Sequence, residues 1–186
     1  MKKNYIIFVG RLVPIKNLPL LIHALKHLFQ EFLNWDLLIV GEGPDYQKVK
    51  SIALKSNVLS RVHFLGHQTG NNLTDYYSAS DILVLPSIYD NFSNVVLEAM
   101  AMKLPVIATK SGGSVDQIKN GYNGYLIENE DLQDLKKKLK ILIKNPQKRK
   151  VFGELGYKTV RERFSWEKTV KSFMYYVNQG KLNDSK

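Results

Sequence analysis

The chain has 186 residues, 44% of them hydrophobic, and it contains no cysteine. This length is enough for one domain with a sizeable core, and the lack of cysteine excludes disulfides, thiol catalysis and cysteine-ligated zinc. No apolar run reaches the roughly 18 residues of a membrane span, and no signal-peptide pattern follows Met1. We therefore expect a soluble, cytoplasmic protein.

The 27 lysines and arginines outnumber the 17 aspartates and glutamates, which gives a formal net charge of +10. Such an excess favours an anionic partner, either a phosphate-bearing ligand or an acidic membrane surface. Many of the cations lie between Lys136 and Lys150, and we interpret them first as the solvated face of a helix. Peripheral contact with an anionic inner membrane face is the alternative. Nucleic acid is not expected, because no aromatic residues interleave with these lysines.

Six short apolar runs alternate with helical patterns along the chain. They are typical of strands in a parallel sheet that is covered on both faces, and they are Tyr5–Val9, Leu37–Val40, Val62–Leu65, Ile82–Leu85, Val106–Thr109 and Gly124–Ile127. Helices are predicted at 18–32, with Asn17 as its cap, and at 45–56, 74–79, 95–102 and 132–142, followed by one at Trp166–Gln179.

This alternation indicates an α/β class with a doubly wound, Rossmann-like, six-stranded parallel sheet. We expect a single domain over residues 1–186 with a C-terminal helical extension from about residue 146. If the strand order is 3-2-1-4-5-6, it reverses between the first and fourth strands, and ligands bind there at the carboxyl ends of the strands. The rule points to the loops Gly10–Asn17 and Pro86–Asn94.

The first loop combines a glycine with two cations. Gly10 lets a ligand approach the backbone closely, while Arg11 offers a planar fork of donors and Lys16 a point charge, both suited to phosphate oxygens. The alternative is that two surface cations fall by chance in one loop of a basic protein.

The second loop leads into a helix with one carboxylate. From Val95 to Met102 every residue except Glu98 is apolar, which predicts a helix that is buried all round. A carboxylate there needs hydrogen bonds, so Glu98 is either a structural anchor or an acceptor for the hydroxyls of a ligand. Asp90 precedes it by eight positions, and Ser93 or Asn94 can cap the helix, whose first N–H groups form an anion site. Together the residues of the two loops predict a ligand that carries phosphates and several hydroxyls.

The order of several short motifs resembles that of a known family. The motifs are Gly10-Arg11…Lys16-Asn17, Val62-His63-Phe64-Leu65-Gly66, Tyr77-Ser78-Ala79-Ser80-Asp81, Pro86-Ser87…Asn94…Glu98-Ala99-Met100-Ala101, Gly112-Gly113 and Phe164-Ser165-Trp166-Glu167. In this order they resemble the C-terminal donor domain of the retaining GT-B glycosyltransferases, glycosyltransferase family 4 or group 1, from Tyr5 to at least Phe173.

The resemblance implies catalytic roles for three residues. Arg11 and Lys16 match the cations that hold the donor diphosphate and stabilise charge on the leaving nucleotide. Asp90 matches the first acid of the family's Glu-x7-Glu motif, which contacts hydroxyls of the transferred sugar. The family usually has glutamate there, and aspartate is shorter by one methylene. Asp116 is a second departure from a usual glutamate.

The resemblance also implies donor-binding roles. Glu98 matches the second acid of the motif, which accepts hydrogen bonds from the ribose hydroxyls. Gly10 gives close backbone access, and the backbone near Gly66 and His67 would meet the base. The amides of four consecutive residues match the cradle for sugar and diphosphate: Phe92, Ser93, Asn94 and Val95.

No metal or other cofactor is expected. Preorganised cations and helix amides can stabilise a departing diphosphate without a metal, and the chain has no Asp-x-Asp pair after a strand. His23 and His27 have a metal-ligand spacing but no third ligand. Gly41–Tyr46 begins like a dinucleotide fingerprint, but it follows the second strand and Tyr46 occupies the third glycine position.

The implied activity is transfer of a hexose-type sugar from a UDP-, GDP- or ADP-sugar to a glycan or lipid-linked acceptor. The family's N-terminal acceptor domain, as a domain or a subunit, is the expected partner, and the isolated donor half is expected to be inactive. The alternative function is a non-catalytic module that binds a partner protein or an anionic membrane.

Overall fold

Six parallel strands form one sheet in the order β3-β2-β1-β4-β5-β6. The strands are β1 (Asn4–Val9), β2 (Trp35–Val40), β3 (Val62–Phe64), β4 (Ile82–Leu85), β5 (Val106–Thr109) and β6 (Tyr125–Ile127). This is a computed structural model, and it describes residues 3–165. It confirms the predicted α/β class, the parallel sheet and the reversal of strand order between β1 and β4.

Seven α-helices are described beside the sheet. They are α1 (Leu18–Glu31), α2 (Tyr46–Lys55), α3 (Gly70–Ala79), α4 (Asn94–Ala101), α5 (Ser114–Gln117), α6 (Leu132–Lys144) and α7 (Pro146–Arg163), with short 3-10 turns at Pro14–Lys16 and Leu59–Arg61. Helix α3 begins four residues before the predicted Thr74, and α5 was not predicted. The helix predicted at Trp166–Gln179 lies outside the described residues.

The core lies on both faces of the central strands. Ile6, Ile7 and Phe8 of β1 are completely buried, as expected for the middle of a doubly covered parallel sheet. Helix α1 packs against α2 and α6, and α4 packs against α7. At the carboxyl ends of β1 and β2 these layers leave an open cavity, bordered by loops and by residues of α3 and α4.

The prediction that Asn17 caps α1 with its side chain is wrong. Asn17 stands at the N-cap position, but it has φ 48° and its side chain makes no cap hydrogen bond. It also ends the preceding 3-10 turn, where its N–H donates to the Pro14 carbonyl. Closing that turn requires the left-handed conformation, which asparagine tolerates better than most residues.

Helix α4 is not buried all round, contrary to the prediction. Val96, Ala99 and Met100 are fully buried, whereas Asn94 and Glu98 are exposed. The helix borders an open cavity, so one face meets solvent although most of its residues are apolar. Composition predicts how apolar a helix is, but only the surrounding elements decide which face is covered.

The basic segment is a helix surface that is partly neutralised within the fold. Lys140 and Lys144 of α6 form ion pairs with Glu31 of α1 at 2.6 and 3.1 Å. Arg149 of α7 donates to the carbonyls of Leu142 and Ile143 at 2.7 and 3.0 Å. Part of the positive charge therefore joins helices to one another. None of the helices within residues 3–165 has the length and apolar character of a membrane span.

Candidate functional site

A cavity of about 510 Å³ opens at the carboxyl ends of β1 and β2, beside the reversal of strand order. Its lining comes from four segments that are far apart in sequence: Val9, Gly10, Arg11, Val40, Gly41, Glu42, His67, Gln68, Thr69, Leu73, Val95 and Glu98. The structure thus brings together five of the predicted site residues, namely Gly10, Arg11, His67, Val95 and Glu98.

Glycines allow three strand ends to meet at the floor of this cavity. Gly10 donates its N–H to the Val40 carbonyl at 3.0 Å, and Gly41 donates to the Gly66 carbonyl at 2.7 Å. A Cβ on Gly41 would lie 2.0 Å from the Gly10 carbonyl oxygen, and Gly41 has φ +134°. Both the space and the backbone conformation therefore require glycine at this position.

Glu98 lies on the rim and has a buried partner. Its Oε2 accepts a hydrogen bond of 2.8 Å from the Tyr77 hydroxyl of α3, and Tyr77 is only 3% exposed. Burial, and then the hydrogen bond and charge of Glu98, raise the pKa of Tyr77 well above its usual range. The phenol therefore stays protonated and remains a donor, while the Oε1 atom of Glu98 has no hydrogen-bond partner among residues 3–165.

Arg11 and Lys16 have different surroundings although both belong to the first loop. Arg11 is exposed on the cavity rim and forms no ion pair with any residue from 3 to 165. Lys16 Nζ lies 2.7 Å from Asp90 Oδ2, and each of these two side chains is 20% exposed. The Ile88 N–H donates to the Ile15 carbonyl at 2.8 Å, so the two predicted loops are joined by a backbone bond as well as an ion pair.

The β4–α4 loop (residues 86–93) is supported from behind by residues 112–117. The N–H of Gly113 donates to the Asp90 carbonyl at 3.1 Å. Gln117 is completely buried, and its Nε2 donates to the Ser93 carbonyl at 3.0 Å. A Cβ on Gly112 would lie 1.8 Å from the Asp90 carbonyl oxygen. The glycine pair is therefore needed for the close contact that fixes Asp90.

The remaining predicted residues lie beside the cavity rather than on its lining. Ser93 is buried at the N-cap of α4 but makes no side-chain cap bond. Phe92 is exposed and its ring lies 6.0 Å from that of Phe164. Asn94 is exposed. The Gly66 carbonyl accepts the hydrogen bond from the Gly41 N–H, beneath the cavity.

Sequence reasoning missed several residues of the site. Gln68 and Thr69 follow β3 and line the cavity. The expectation that ligands bind at the carboxyl ends of the strands was applied only to the first and fourth strands, but it also holds for the third. Glu42 was considered only as part of a failed dinucleotide pattern, yet its Oε1 accepts the His67 N–H at 3.3 Å. Gln117 had no sequence signal other than its place after the glycine pair.

No group of three or more histidine, aspartate or glutamate side chains within residues 3–165 could hold a metal ion. His23 and His27 both lie on the exposed surface of α1. These two histidines are therefore helix-surface residues and not members of a three-ligand group among the residues that the structure describes.

The chain is similar to known glycosyltransferases. The family model described as glycosyl transferases group 1 matches residues 1–159. An uncharacterized glycosyltransferase of Methanocaldococcus jannaschii is 37% identical over 167 residues, which cover 90% of this chain and 46% of that relative.

Two solved structures have the same fold. The C-terminal domain of a glycosyl transferase group 1 family protein, LpcC, from Francisella tularensis has a TM-score of 0.80 and 28% identity, with 89% of each chain covered. A variant of TarM from S. aureus, in complex with fondaparinux, α-GlcNAc-glycerol and UDP, has a TM-score of 0.85 and 26% identity, with 93% of this chain and 35% of TarM covered.

The chain spans about half the length of the curated relatives that it matches, 46% and 43% for the first two. The region that it matches is the one solved as a C-terminal domain in the Francisella protein. The chain belongs to the group 1 glycosyltransferases, and it corresponds to the C-terminal domain of their GT-B fold.

Proposed function

We propose that the chain binds a nucleoside diphosphate sugar, a UDP-, GDP- or ADP-hexose, in the cavity at the carboxyl ends of β1 and β2. The supporting observation is that one cavity has the Arg11 guanidinium, the Glu98 carboxylate and the first turn of α4 on its border. A guanidinium and helix N-terminal amides complement a diphosphate. A carboxylate complements the neighbouring hydroxyls of a ribose.

The positions of Glu98 and His67 support an orientation for the nucleoside. The base lies at the Gly66–His67 end, where backbone groups and the apolar part of the lining can contact its edge and face. The ribose lies at Glu98, and its hydroxyls donate hydrogen bonds to Oε1, which has no partner among residues 3–165. Two features of Glu98 support this assignment. Its carboxylate has no cation partner among residues 3–165, and the buried Tyr77 hydroxyl holds it in place.

The diphosphate then lies between Arg11 and the backbone of residues 92–95, and the sugar faces Lys16 and Asp90. When the bond from the anomeric carbon to the diphosphate oxygen breaks, negative charge grows on the nucleotide and positive charge on the sugar. Arg11 and Lys16 stabilise the leaving diphosphate as preorganised cations, without a metal. Lys16 turns from Asp90 towards the phosphate, which releases the Asp90 carboxylate for a sugar hydroxyl.

The acceptor binds on the side of the cavity where apolar side chains are exposed. Ile15, Ile88 and Tyr89 adjoin the Lys16–Asp90 pair and are 42%, 37% and 52% exposed. A further domain or a separate subunit covers this face and binds the glycan or lipid-linked acceptor. The relatives are long enough for such a domain, since the chain accounts for 46% of the first. The chain by itself therefore binds a donor but does not transfer the sugar.

Calorimetry with UDP, GDP, ADP and their glucose conjugates tests the proposal. UDP is the first choice because TarM was solved with UDP. We expect binding with a millimolar or lower Kd for at least one nucleotide, and tighter binding of its sugar conjugate. A chain that binds none of the three nucleotides at millimolar concentration would rule out the proposed function.

A further inference from the structure

We infer that Tyr77 is a positioning residue for nucleotide binding, because its phenol fixes the Glu98 carboxylate in the place where the ribose hydroxyls are bound. The inference rests on the proposed function, and it adds a residue from α3 that neither lines the cavity nor contacts the donor. It also gives a role to a motif, Tyr77–Asp81, that helped only to identify the family.

The contact joins a rigid residue to a mobile type of side chain. Tyr77 is 3% exposed and packs in the core, so its ring has little freedom. Glu98 is exposed on α4, and a long charged side chain on a surface normally samples several rotamers. The 2.8 Å bond from the Tyr77 hydroxyl to Oε2 selects one of them, so Glu98 loses this freedom before the nucleotide arrives.

The bond has consequences at both of its ends. The buried Tyr77 hydroxyl needs an acceptor, so the bond contributes to the stability of the fold. A hydrogen bond to a carboxylate is roughly twice as strong as one to a neutral carbonyl, so it also holds the exposed Glu98 side chain in one rotamer. Tyr77 therefore positions a ligand-binding carboxylate in addition to packing in the core.

The first and last residues of the Tyr77–Asp81 motif contact different parts of the fold. Asp81 Oδ2 accepts the N–H of Tyr5 in β1 at 3.0 Å, and Asp81 Oδ1 lies 3.7 Å from Arg149 of α7. Asp81 thus ties the start of β4 to its neighbours at the amino ends of the strands. Tyr77 instead contacts Glu98, which lines the cavity at the carboxyl ends of the strands. The two side chains of this short motif therefore bind to different parts of the fold.

Calorimetry on Tyr77→Phe tests the inference with two kinds of ligand. The ligands are UDP, GDP and ADP, each compared with its 2′,3′-dideoxy analogue, which lacks the hydroxyls assigned to Glu98. For the nucleotide that binds, we expect Tyr77→Phe to weaken affinity roughly fivefold, the scale of one net hydrogen bond. Affinity for the dideoxy analogue stays unchanged. Tyr76→Phe removes the hydroxyl of the adjacent, half-buried tyrosine and serves as the matched control.

Each outcome decides between the alternatives. An equal loss for both ligands would assign Tyr77 a merely structural role, and no loss for either would show that Glu98 needs no positioning. Either result overturns the inference while the proposed function stands. A wild-type chain that binds no nucleotide overturns both. In the Glu98→Ala background, Tyr77→Phe has no further effect if the hydroxyl acts through Glu98.

Discussion

The acidic side chains of Asp90 and Glu98 differ in their partners. Asp90 pairs with Lys16 at 2.7 Å, whereas Glu98 accepts a hydrogen bond from the neutral Tyr77 at 2.8 Å. A carboxylate beside a cation is partly neutralised, while one held by a phenol keeps its charge for a ligand. This difference matches the proposed contacts, those of Asp90 with the sugar and of Glu98 with the ribose.

Matched amide substitutions separate these two contacts. For Glu98→Gln we expect a loss of roughly tenfold in UDP affinity, since a charged hydrogen-bond acceptor becomes neutral, with the ratio of UDP-glucose to UDP affinity unchanged. For Asp90→Asn we expect UDP affinity to be maintained or improved, because Lys16 is released for the diphosphate, and the advantage of UDP-glucose to disappear. Calorimetry measures the affinity for UDP and for UDP-glucose, and hence their ratio, in each variant. Equal effects of the two substitutions on both ligands would contradict the assignment.

The segment from Gly112 to Gln117 determines where the β4–α4 loop lies. It contacts the back of the loop at the Asp90 carbonyl and, through the Gln117 amide, at the Ser93 carbonyl. The Gln117 Nε2 bond is buried, so water cannot replace it. The position of the predicted diphosphate cradle therefore depends on α5, an element of only four residues.

Gly112→Ala tests this dependence. A Cβ there would lie 1.8 Å from the Asp90 oxygen, at φ +50°. We expect a destabilisation of about 2–3 kcal/mol and a loss of roughly tenfold in nucleotide affinity as the loop shifts. Gly121→Ala is the control, since Gly121 also has positive φ, +78°, but open space around its Cβ. We expect Gly121→Ala to lower the free energy of unfolding by about 1 kcal/mol through backbone strain and to leave nucleotide affinity unchanged. Urea unfolding measures the stability of the two variants and calorimetry their nucleotide affinity. Identical behaviour of the two variants would contradict the role of the segment from Gly112 to Gln117.

The stability of the whole fold is linked to pH through Asp36, at the start of β2. Asp36 is 4% exposed and contacts Lys3, Arg61 and His63 at 2.9, 3.2 and 3.0 Å. Burial alone would raise the pKa of its carboxyl, but the hydrogen bonds from His63, Lys3 and Arg61 outweigh burial and hold the pKa below its usual value. Because the folded pKa is lowered, the stabilisation is present above the ordinary carboxyl pKa and is lost as pH falls through the folded pKa.

Asp36→Asn tests this linkage. We expect the free energy of unfolding to fall by about 1–3 kcal/mol at neutral pH, because three cationic or donor groups lose their charged partner. The difference from wild type shrinks as the pH is lowered to about 3. Urea unfolding across this range measures it. Glu128→Gln is the control, since its exposed pair with Lys110 contributes little at any pH. A constant difference between wild type and Asp36→Asn would contradict the linkage.

The sequence was sufficient for most of the architecture of the molecule. Buried parallel strands are near-continuous apolar runs, so all six strands were located to within two residues, and the amphipathic pattern located α1 and α6. Short helices were harder. Helix α5 has four residues, too few for a period, and the polar first turn of α3 hides its start before Thr74.

For the site, the sequence by itself determined which loops meet, because parallel connections place the carboxyl ends of strands at one edge. The residue types at Gly10, Arg11 and Glu98 also indicated a ligand with phosphates and hydroxyls. Only the tertiary structure decided that α4 exposes Glu98, that Lys16 pairs with Asp90, and that Tyr77 and Gln117 reach the site from other helices. The physical reason is that residue spacing specifies local periodicity and strand ends, whereas side-chain partners depend on how separate helices pack over the sheet.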